Sequence, residues 1–191
     1  MENFKLFLNT FFPIQQKTWN ELMPLFRIKE LKKGDYFIRE DQKAKEWAFL
    51  NSGVVRAFYT NQKDREYTKR FFTSPSIIGS YSSLLTEKPS LYSQQALTNC
   101  TIFVANYKQV LKLYDAYLDL ERLARKFAEN YFVFNELKEL EVVLLDATER
   151  YFQFKKEYPD LEQLIPQYHI ASYLGISPTQ LSRIRKIILN K

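Results

Sequence analysis

The spacing of apolar residues changes twice along this chain of 191 residues. Residues 3–27 carry apolar side chains at helical spacing, in two pieces separated by Pro13. From Gly34 to Asn106 the pattern breaks into short runs typical of strands, with polar turns between them. These runs are Asp35–Arg39, Trp47–Asn51, Val54–Thr60, Glu66–Phe72, Ile77–Ile78, Ser93–Leu97 and Thr101–Ala105. Many short strands at close spacing predict an antiparallel roll or sandwich rather than a parallel sheet with crossover helices.

A helical pattern returns after Tyr107, and neither Gly nor Pro interrupts the chain from Leu113 to Leu145. Apolar residues recur there at spacings of three and four, which indicates one long helix with an apolar stripe. Such a helix packs on its own roll or pairs with the same helix of a second copy. We predict a homodimer with an interface formed by Leu120, Leu123, Phe127, Tyr131, Phe134 and Leu137.

After a further predicted helix over Asp146–Tyr158, the segment Gln167–Lys186 has the spacing of a helix-turn-helix. Ala171 supplies a small side chain where two helices cross, and Gly175 can adopt the left-handed conformation that ends a helix. Ser177 can then cap the second helix, with Pro178 at its first position.

The polar residues of the second helix are predicted to face outward, because Leu181, Ile184 and Ile188 form its apolar side. Arg pairs with guanine, Gln pairs with adenine, and Ser, Thr and Lys hold the DNA backbone. The outward residues are Thr179, Gln180, Ser182, Arg183 and Lys186. The segment is therefore interpreted as a reader of double-stranded DNA, with a plain helical hairpin packed on a neighbouring domain as the alternative.

Composition supports a globular protein with an anionic partner, since 46% of residues are hydrophobic and the formal net charge is +6. No acidic residue follows Glu162, whereas four cations do, namely Arg183, Arg185, Lys186 and Lys191. The one cysteine, Cys100, excludes an internal disulfide and is expected to be a small buried residue. The one histidine, His169, is expected to face solvent or a DNA phosphate. No run is apolar enough to span a bilayer, so we expect a cytoplasmic protein without a membrane partner.

A roll of short strands, a long helix and a C-terminal helix-turn-helix, in this order, resemble the Crp-Fnr family of bacterial transcription regulators. The segments that carry the resemblance are Lys33–Arg39, Leu50–Arg56 and Leu144–Arg150, together with glycines placed on the family's turns. The resemblance implies an α+β protein. Residues 1–112 would form an antiparallel β-roll of the cyclic-nucleotide-binding type (a double-stranded β-helix) with flanking helices, residues 113–145 the dimerisation helix, and residues 146–191 a winged helix-turn-helix. We expect at most an abbreviated wing, before Gln167.

The resemblance also implies an effector site within Ile77–Ala96. In members that bind cyclic nucleotides, a Glu contacts the ribose and an Arg contacts the phosphate. Here Ser80 or Tyr81 stands in place of the Glu, and no Arg lies near Ser90 to Ser93, so the strongest charged contacts are absent. We therefore expect no binding of cyclic AMP or cyclic GMP. The candidate pocket, for an unknown small-molecule effector or for none, comprises Gly79, Ser80, Tyr81, Ser82, Ser90, Tyr92 and Ser93.

The sequence thus favours a dimeric, sequence-specific DNA-binding transcription regulator, and the resemblance adds RNA polymerase as a further partner. By resemblance, Arg183 would read a guanine. The full set of predicted DNA contacts is Gln167, Tyr168, Ser177, Thr179, Gln180, Ser182, Arg183 and Lys186. The alternative is a non-DNA ligand-sensing or protein-interaction module with a structural C-terminal tail. No enzyme, metal or cofactor is expected, because a roll-fold enzyme needs clustered His and carboxylate ligands and this roll contains no His.

Overall fold

Two four-stranded antiparallel sheets form the centre of the protein, in a computed structural model that describes residues 1–189. One sheet has the strand order β1-β8-β3-β6 and the other has the order β2-β7-β4-β5. The strands are β1 (Arg27–Leu31), β2 (Tyr36–Ile38), β3 (Glu46–Ser52), β4 (Val54–Thr60), β5 (Glu66–Thr73), β6 (Ser76–Ile78), β7 (Ser93–Ala96) and β8 (Cys100–Asn106). The predicted antiparallel roll is confirmed.

Helices precede, interrupt and follow the roll. They are α1 (Glu2–Asn9), α2 (Gln16–Leu22), α3 (Tyr81–Thr86), α4 (Tyr107–Leu111), α5 (Leu118–Leu144), α6 (Ala147–Glu157), α7 (Leu161–Leu164), α8 (Gln167–Leu174) and α9 (Pro178–Leu189). A short 3₁₀ turn, Met23–Leu25, extends α2. None of the helices within residues 1–189 combines the length and the apolarity needed to cross a membrane.

Alternating residues of β3 face two separate cores, because successive side chains of a strand point to opposite faces. In β3, Ala48 and Leu50 point into the roll, where they join Cys100, which is buried as predicted. Phe49 points outward from the same strand and stacks on Phe4 of α1, with ring centroids 4.6 Å apart. The N-terminal helices and the start of α5 therefore cover the outer face of one sheet.

Several elements differ from the predicted pattern, among them the short helices α4 and α7. Strand β1, Arg27–Leu31, was not predicted, because it pairs with the edge of β8 and buries only Leu31. The long helix begins at Leu118 rather than Leu113, after the short α4 and a run of turns. Asp119 fixes this start, since its carboxylate accepts hydrogen bonds from the backbone N–H of Gln15 (2.7 Å) and the hydroxyl of Thr18 (2.8 Å).

Helix α6, the first of the C-terminal helices, begins at a polar capping residue. Asp146 and Glu149 form a reciprocal capping box at the start of α6. Between α6 and α8 the chain forms the short helix α7, and no strand follows β8 within residues 1–189. No β-hairpin wing is therefore present within residues 1–189, within the expectation of at most an abbreviated one. Asn190 and Lys191 lie outside the described residues.

Replacing Gly53 by Ala is expected to destabilise the fold more than the same change at Gly34. Both glycines have a positive φ, +96° and +94°, so the backbone strain of a side chain is similar. A Cβ atom at Gly53 would lie 2.5 Å from the carbonyl oxygen of Asn99, whereas none of the described atoms lies within 4 Å of one at Gly34. We expect Gly53→Ala to lower the free energy of unfolding by about 2 kcal/mol more than Gly34→Ala. Urea denaturation measures both, and equal losses would contradict the packing argument.

Candidate DNA-binding and effector sites

Helices α8 and α9 pack closely through small and apolar residues. Helix α8 ends at Gly175, which has φ = +67°, and the N–H of Ile176 donates to the carbonyl of Ala171 (3.0 Å). Such a left-handed end turns the chain sharply, and three residues, Gly175 to Ser177, separate α8 from the start of α9 at Pro178. Ala171 and Leu181 are both buried at the contact. The helix boundaries, the turn and the apolar sides of both helices agree with the sequence prediction.

The predicted DNA-contacting residues of α9 lie together on the exposed side of the helix. They are Thr179, Gln180, Ser182, Arg183 and Lys186. Ser177 caps the helix as predicted, because its Oγ accepts from the N–H of Gln180 (3.2 Å). The side chain of Gln180 reaches back, and its Oε1 accepts from the N–H of Ser177 (2.9 Å). Gln180 is therefore engaged in a capping box of the S-x-x-Q type, which the sequence contains but which we did not predict.

The first turn of α8 does not present its three polar side chains in the same way. Tyr168 is exposed and Gln167 is half-buried, so both remain available at the surface beside α9. His169 is only 5% exposed, and the prediction that it faces solvent or a phosphate is wrong. It faces the roll, where its Nδ1 accepts a hydrogen bond from Nη1 of Arg56 (2.9 Å).

Arg56 is a buried cation that connects the roll to α8. It lies in the middle of β4 with 3% of its surface exposed. Its Nη1 is 2.7 Å from a carboxylate oxygen of Glu66, and its Nε and Nη2 donate to Oε1 of Gln95. The guanidinium also stacks over the ring of Phe58 at 3.8 Å. A single charge within the apolar run of β4 was the sequence signal for this contact, and we did not interpret it.

Further hydrogen bonds join the C-terminal helices to the edge strand β5. Ser172 of α8 donates to the carbonyl of Glu66 (2.8 Å) and accepts from the N–H of Thr68 (2.9 Å). The hydroxyl of Tyr158 donates to the carbonyl of Phe71 (3.2 Å). These bonds satisfy backbone groups that an edge strand otherwise leaves unpaired. An apolar cluster that includes Val54, Phe71, Phe154 and Ile170 packs beside them.

Four of the seven residues of the predicted effector pocket form a closed hydrogen-bonded group. Ser80 and Ser90 are buried with their Oγ atoms 2.9 Å apart, and Ser90 Oγ donates to the carbonyl of Tyr92 (2.7 Å). The carbonyl of Gly79 accepts from the hydroxyl of Tyr92 (3.3 Å) and from Nε2 of Gln94 (3.2 Å). Gln94 is a member that we did not predict. The serine hydroxyls of the group are satisfied within it, whereas Oε1 of Gln94 is buried without a hydrogen-bond partner within residues 1–189. None of these residues carries a charged side chain.

The other three predicted effector residues lie outside this group. Ser93 Oγ accepts from the N–H of Glu40 (2.9 Å), and Tyr81 and Ser82 are exposed on α3. Nearby, Arg70 of β5 lies under α5 with its guanidinium 4.0 Å from the ring of Phe134. Its Nε and Nη1 are buried, and neither has a hydrogen-bond partner within residues 1–189. Arg70 comes from a different strand than the family's Arg and adjoins aromatic rings rather than the serine group.

The predicted dimer interface divides between two environments. Leu120 and Leu123 are buried in the core beneath α5, so they are not available to a second copy, and these two predictions are wrong. Phe127 packs edge-on against Phe11 of the N-terminal segment, at 5.1 Å. Tyr131 and Phe134 are half-buried near Arg70, and only Leu137 is widely exposed. Most exposed apolar side chains of α5 lie further along, namely Phe132, Val133, Leu137, Leu140, Val142, Val143 and Leu144.

Comparisons with known proteins find likenesses to the roll and to the chain's overall fold. Residues 28–117 match the family model of the cyclic nucleotide-binding domain. The match covers 90 of the 191 residues. It extends from β1 to the residue before α5, and it contains the serine group and α3. No curated protein matches the sequence.

Solved structures share the fold of nearly the whole chain, including the helices that follow the cyclic nucleotide-binding domain. The regulator CLP of Xanthomonas campestris is 16% identical, with 92% of each chain covered and a TM-score of 0.70. FixK2 of Bradyrhizobium japonicum is 15% identical, with 86% of this chain and 85% of that chain covered and a TM-score of 0.72. The catabolite activator protein of Thermus thermophilus is 19% identical, with 94% and 86% covered and a TM-score of 0.59. At these identities the likeness concerns the fold.

No group of three or more His, Cys, Asp or Glu side chains within residues 1–189 is arranged to hold a metal ion.

Stability is expected to depend on pH through His169. Burial, followed by the charges of Arg56 and Lys33, lowers the pKa of His169 from 6.5 to about 4. Between these values the unfolded chain binds the proton and the folded chain does not, so stability falls as the pH is lowered. The expected total loss is about 3 kcal/mol, at 1.36 kcal/mol per pKa unit.

Chemical denaturation of the wild type and of His169→Gln, at several pH values across this window, measures the effect. The variant lacks the titrating group and should show a correspondingly smaller pH dependence. Equal pH dependence in the two proteins would show that other groups are responsible.

Proposed function

We propose that the protein is a dimeric, sequence-specific DNA-binding transcription regulator of the Crp-Fnr type. The observation that carries this proposal is the polar, exposed side of α9, which has its apolar side anchored in the core at Leu181. A helix supported in this way can enter the major groove while the protein body stays outside it. Regulators such as CLP share the fold over 92% of this chain, which supports the same assignment.

Charge distribution supports DNA as the partner. Arg183 and Lys186 are exposed on α9, where they can approach bases and phosphates. Arg185 is held on the other side, with its Nε 3.4 Å from Glu162, so it takes no part in the proposed contact. Tyr168 and Gln167 lie at the start of α8, a position suited to gripping the backbone. Because Gln180 caps α9, Arg183 becomes the main candidate for base reading.

The exposed apolar residues near the end of α5 support a homodimer. Leu137 is 57% exposed and Leu140 is 49% exposed, three residues apart on the same helix. With 27 residues, α5 is about 40 Å long, so its second half can pair with a second copy while its first half packs on the roll. A two-fold dimer would present two α9 helices to half-sites on DNA. RNA polymerase is a further proposed partner.

The effector of the proposed regulator is not expected to be cyclic AMP or cyclic GMP. A cyclic phosphate needs charge-assisted contacts, and the closed group around Ser80 and Ser90 offers neutral hydroxyls that already bond to one another. CLP is described as responsive to c-di-GMP, and at 16% identity its likeness to this chain concerns the fold alone.

Replacing Arg183 by Ala is expected to weaken binding to the selected DNA site by about 1–3 kcal/mol and to relax one base position. Lys186→Ala should weaken binding to all sequences alike and reduce the salt dependence. The cognate site is first selected from a random pool of duplexes, and fluorescence anisotropy at several salt concentrations then compares it with random DNA. Lys156 is an exposed cation on α6, so Lys156→Ala is the control. It should change neither the affinity for DNA nor the salt dependence of binding.

Equal losses on cognate and random DNA for Arg183→Ala would contradict base reading by this residue. Absence of salt-sensitive binding to any duplex would favour the alternative function, a ligand-sensing or protein-interaction module with a structural C-terminal tail.

Replacing Leu140 by Glu is expected to convert the dimer into a monomer. An unpaired carboxylate buried in an apolar interface costs about 3 kcal/mol or more. Arg122→Glu is the matched control, because Arg122 is exposed in the half of α5 that packs on the roll. Sedimentation velocity measures the state of each variant. A dimer that persists in Leu140→Glu would place the interface elsewhere.

A further inference from the structure

A cavity of about 250 Å³ lies between α5 and the end of β6. Leu8 and Leu22 of the N-terminal helices contribute to its walls, so it extends outside the roll. Its walls include Gly79 and Tyr92 but not Ser80 or Ser90. The cavity therefore shares Gly79 and Tyr92 with the closed serine group, whereas Ser80 and Ser90 lie outside its walls.

The walls of the cavity are aromatic and aliphatic, and they carry no ionisable Asp, Glu, Lys, Arg or His. Their polar groups are mainly tyrosine hydroxyls, such as those of Tyr107 and Tyr114. Burial raises the pKa of Tyr114 to about 12 and also raises that of Tyr107, so both hydroxyls stay protonated and neutral. A charged ligand would lose its hydration here without meeting an opposite charge in the walls.

The aromatic rings of the walls favour a flat partner. Trp47, Phe72 and Phe127 contribute rings from β3, β5 and α5. Rings pack well against one another in offset or edge-to-face arrangements. The indole N–H of Trp47 is also buried without a hydrogen-bond partner within residues 1–189, and an acceptor atom on a ligand can satisfy it.

We propose that this cavity binds a small, uncharged aromatic compound that carries a hydrogen-bond acceptor. An apolar cavity of ~150 Å³ accommodates benzene, so the volume here suits a compound of roughly ten non-hydrogen atoms. The binding step does not depend on the proposed DNA binding. A ligand in the cavity would lie against Ala124 and Ala128 of α5, the helix on which the proposed dimer depends.

The test uses the full chain and a pair of bicyclic probes that differ in one charge, coumarin and coumarin-3-carboxylate. Isothermal titration calorimetry is expected to give coumarin a dissociation constant below about 1 mM, within the limits for a ligand of this size. The carboxylate and cyclic AMP should bind about tenfold more weakly or not at all. In a Trp19→Phe background, Trp47 is the remaining tryptophan, and its fluorescence should change on coumarin binding.

A variant that fills the cavity locates the site. Ala128→Trp should weaken coumarin binding by about tenfold or more. The control Glu136→Trp places the same side chain at an exposed position of α5 and should leave binding unchanged. Ala124→Leu is a smaller change at a second wall residue and preserves the test if Ala128→Trp does not fold.

Three results would overturn the proposal. One is the absence of saturable coumarin binding, and another is undiminished binding in the folded cavity variants. The third is equal or tighter binding of coumarin-3-carboxylate, which would indicate an organic anion held by the nearby Arg70. Loss of DNA binding in Arg183→Ala, with coumarin binding intact, would leave this inference standing and bear only on the proposed function.

Discussion

Arg56 carries a positive charge into the contact between the roll and α8, and the position of the C-terminal helices depends on how that charge is satisfied. A buried cation is tolerated only when it is paired and hydrogen-bonded. Glu66 supplies the countercharge and a neutral His169 supplies an acceptor, at 2.7 and 2.9 Å. Because His169 belongs to α8, these bonds fix that helix against the sheet. Leu181 then fixes α9 on α8, so the roll sets the direction in which the polar side of α9 points.

The long helix α5 has a different environment in its first, middle and last turns. Its first turns complete the core around Leu120, and its middle forms a wall of the cavity at Ala124 and Ala128. Its last turns expose apolar residues such as Leu140. In contrast, the serine group around Ser80 is closed by its own hydrogen bonds.

Much of the fold could be predicted because its signals are local. Strand β4 has the predicted bounds Val54–Thr60, and Gly175 adopts the left-handed conformation that was expected of it. Strand β1 could not be predicted, since an edge strand with four exposed residues shows no apolar alternation. The start of α5 was misplaced by five residues, because the helix begins where Asp119 bonds to α2, a contact between residues far apart in sequence.

The parts of the candidate sites that depend on a single helix could be predicted from the sequence. The capping Ser177 and the outward side of α9 follow from residue types and helical spacing, and both are present. His169 could not be placed from the sequence, because its burial depends on Arg56, 113 residues earlier. The sequence by itself determined most of the segments that form helices and strands and which of their faces are apolar. Only the tertiary structure decided which neighbour covers each face, because burial and charge pairing depend on residues brought together by folding.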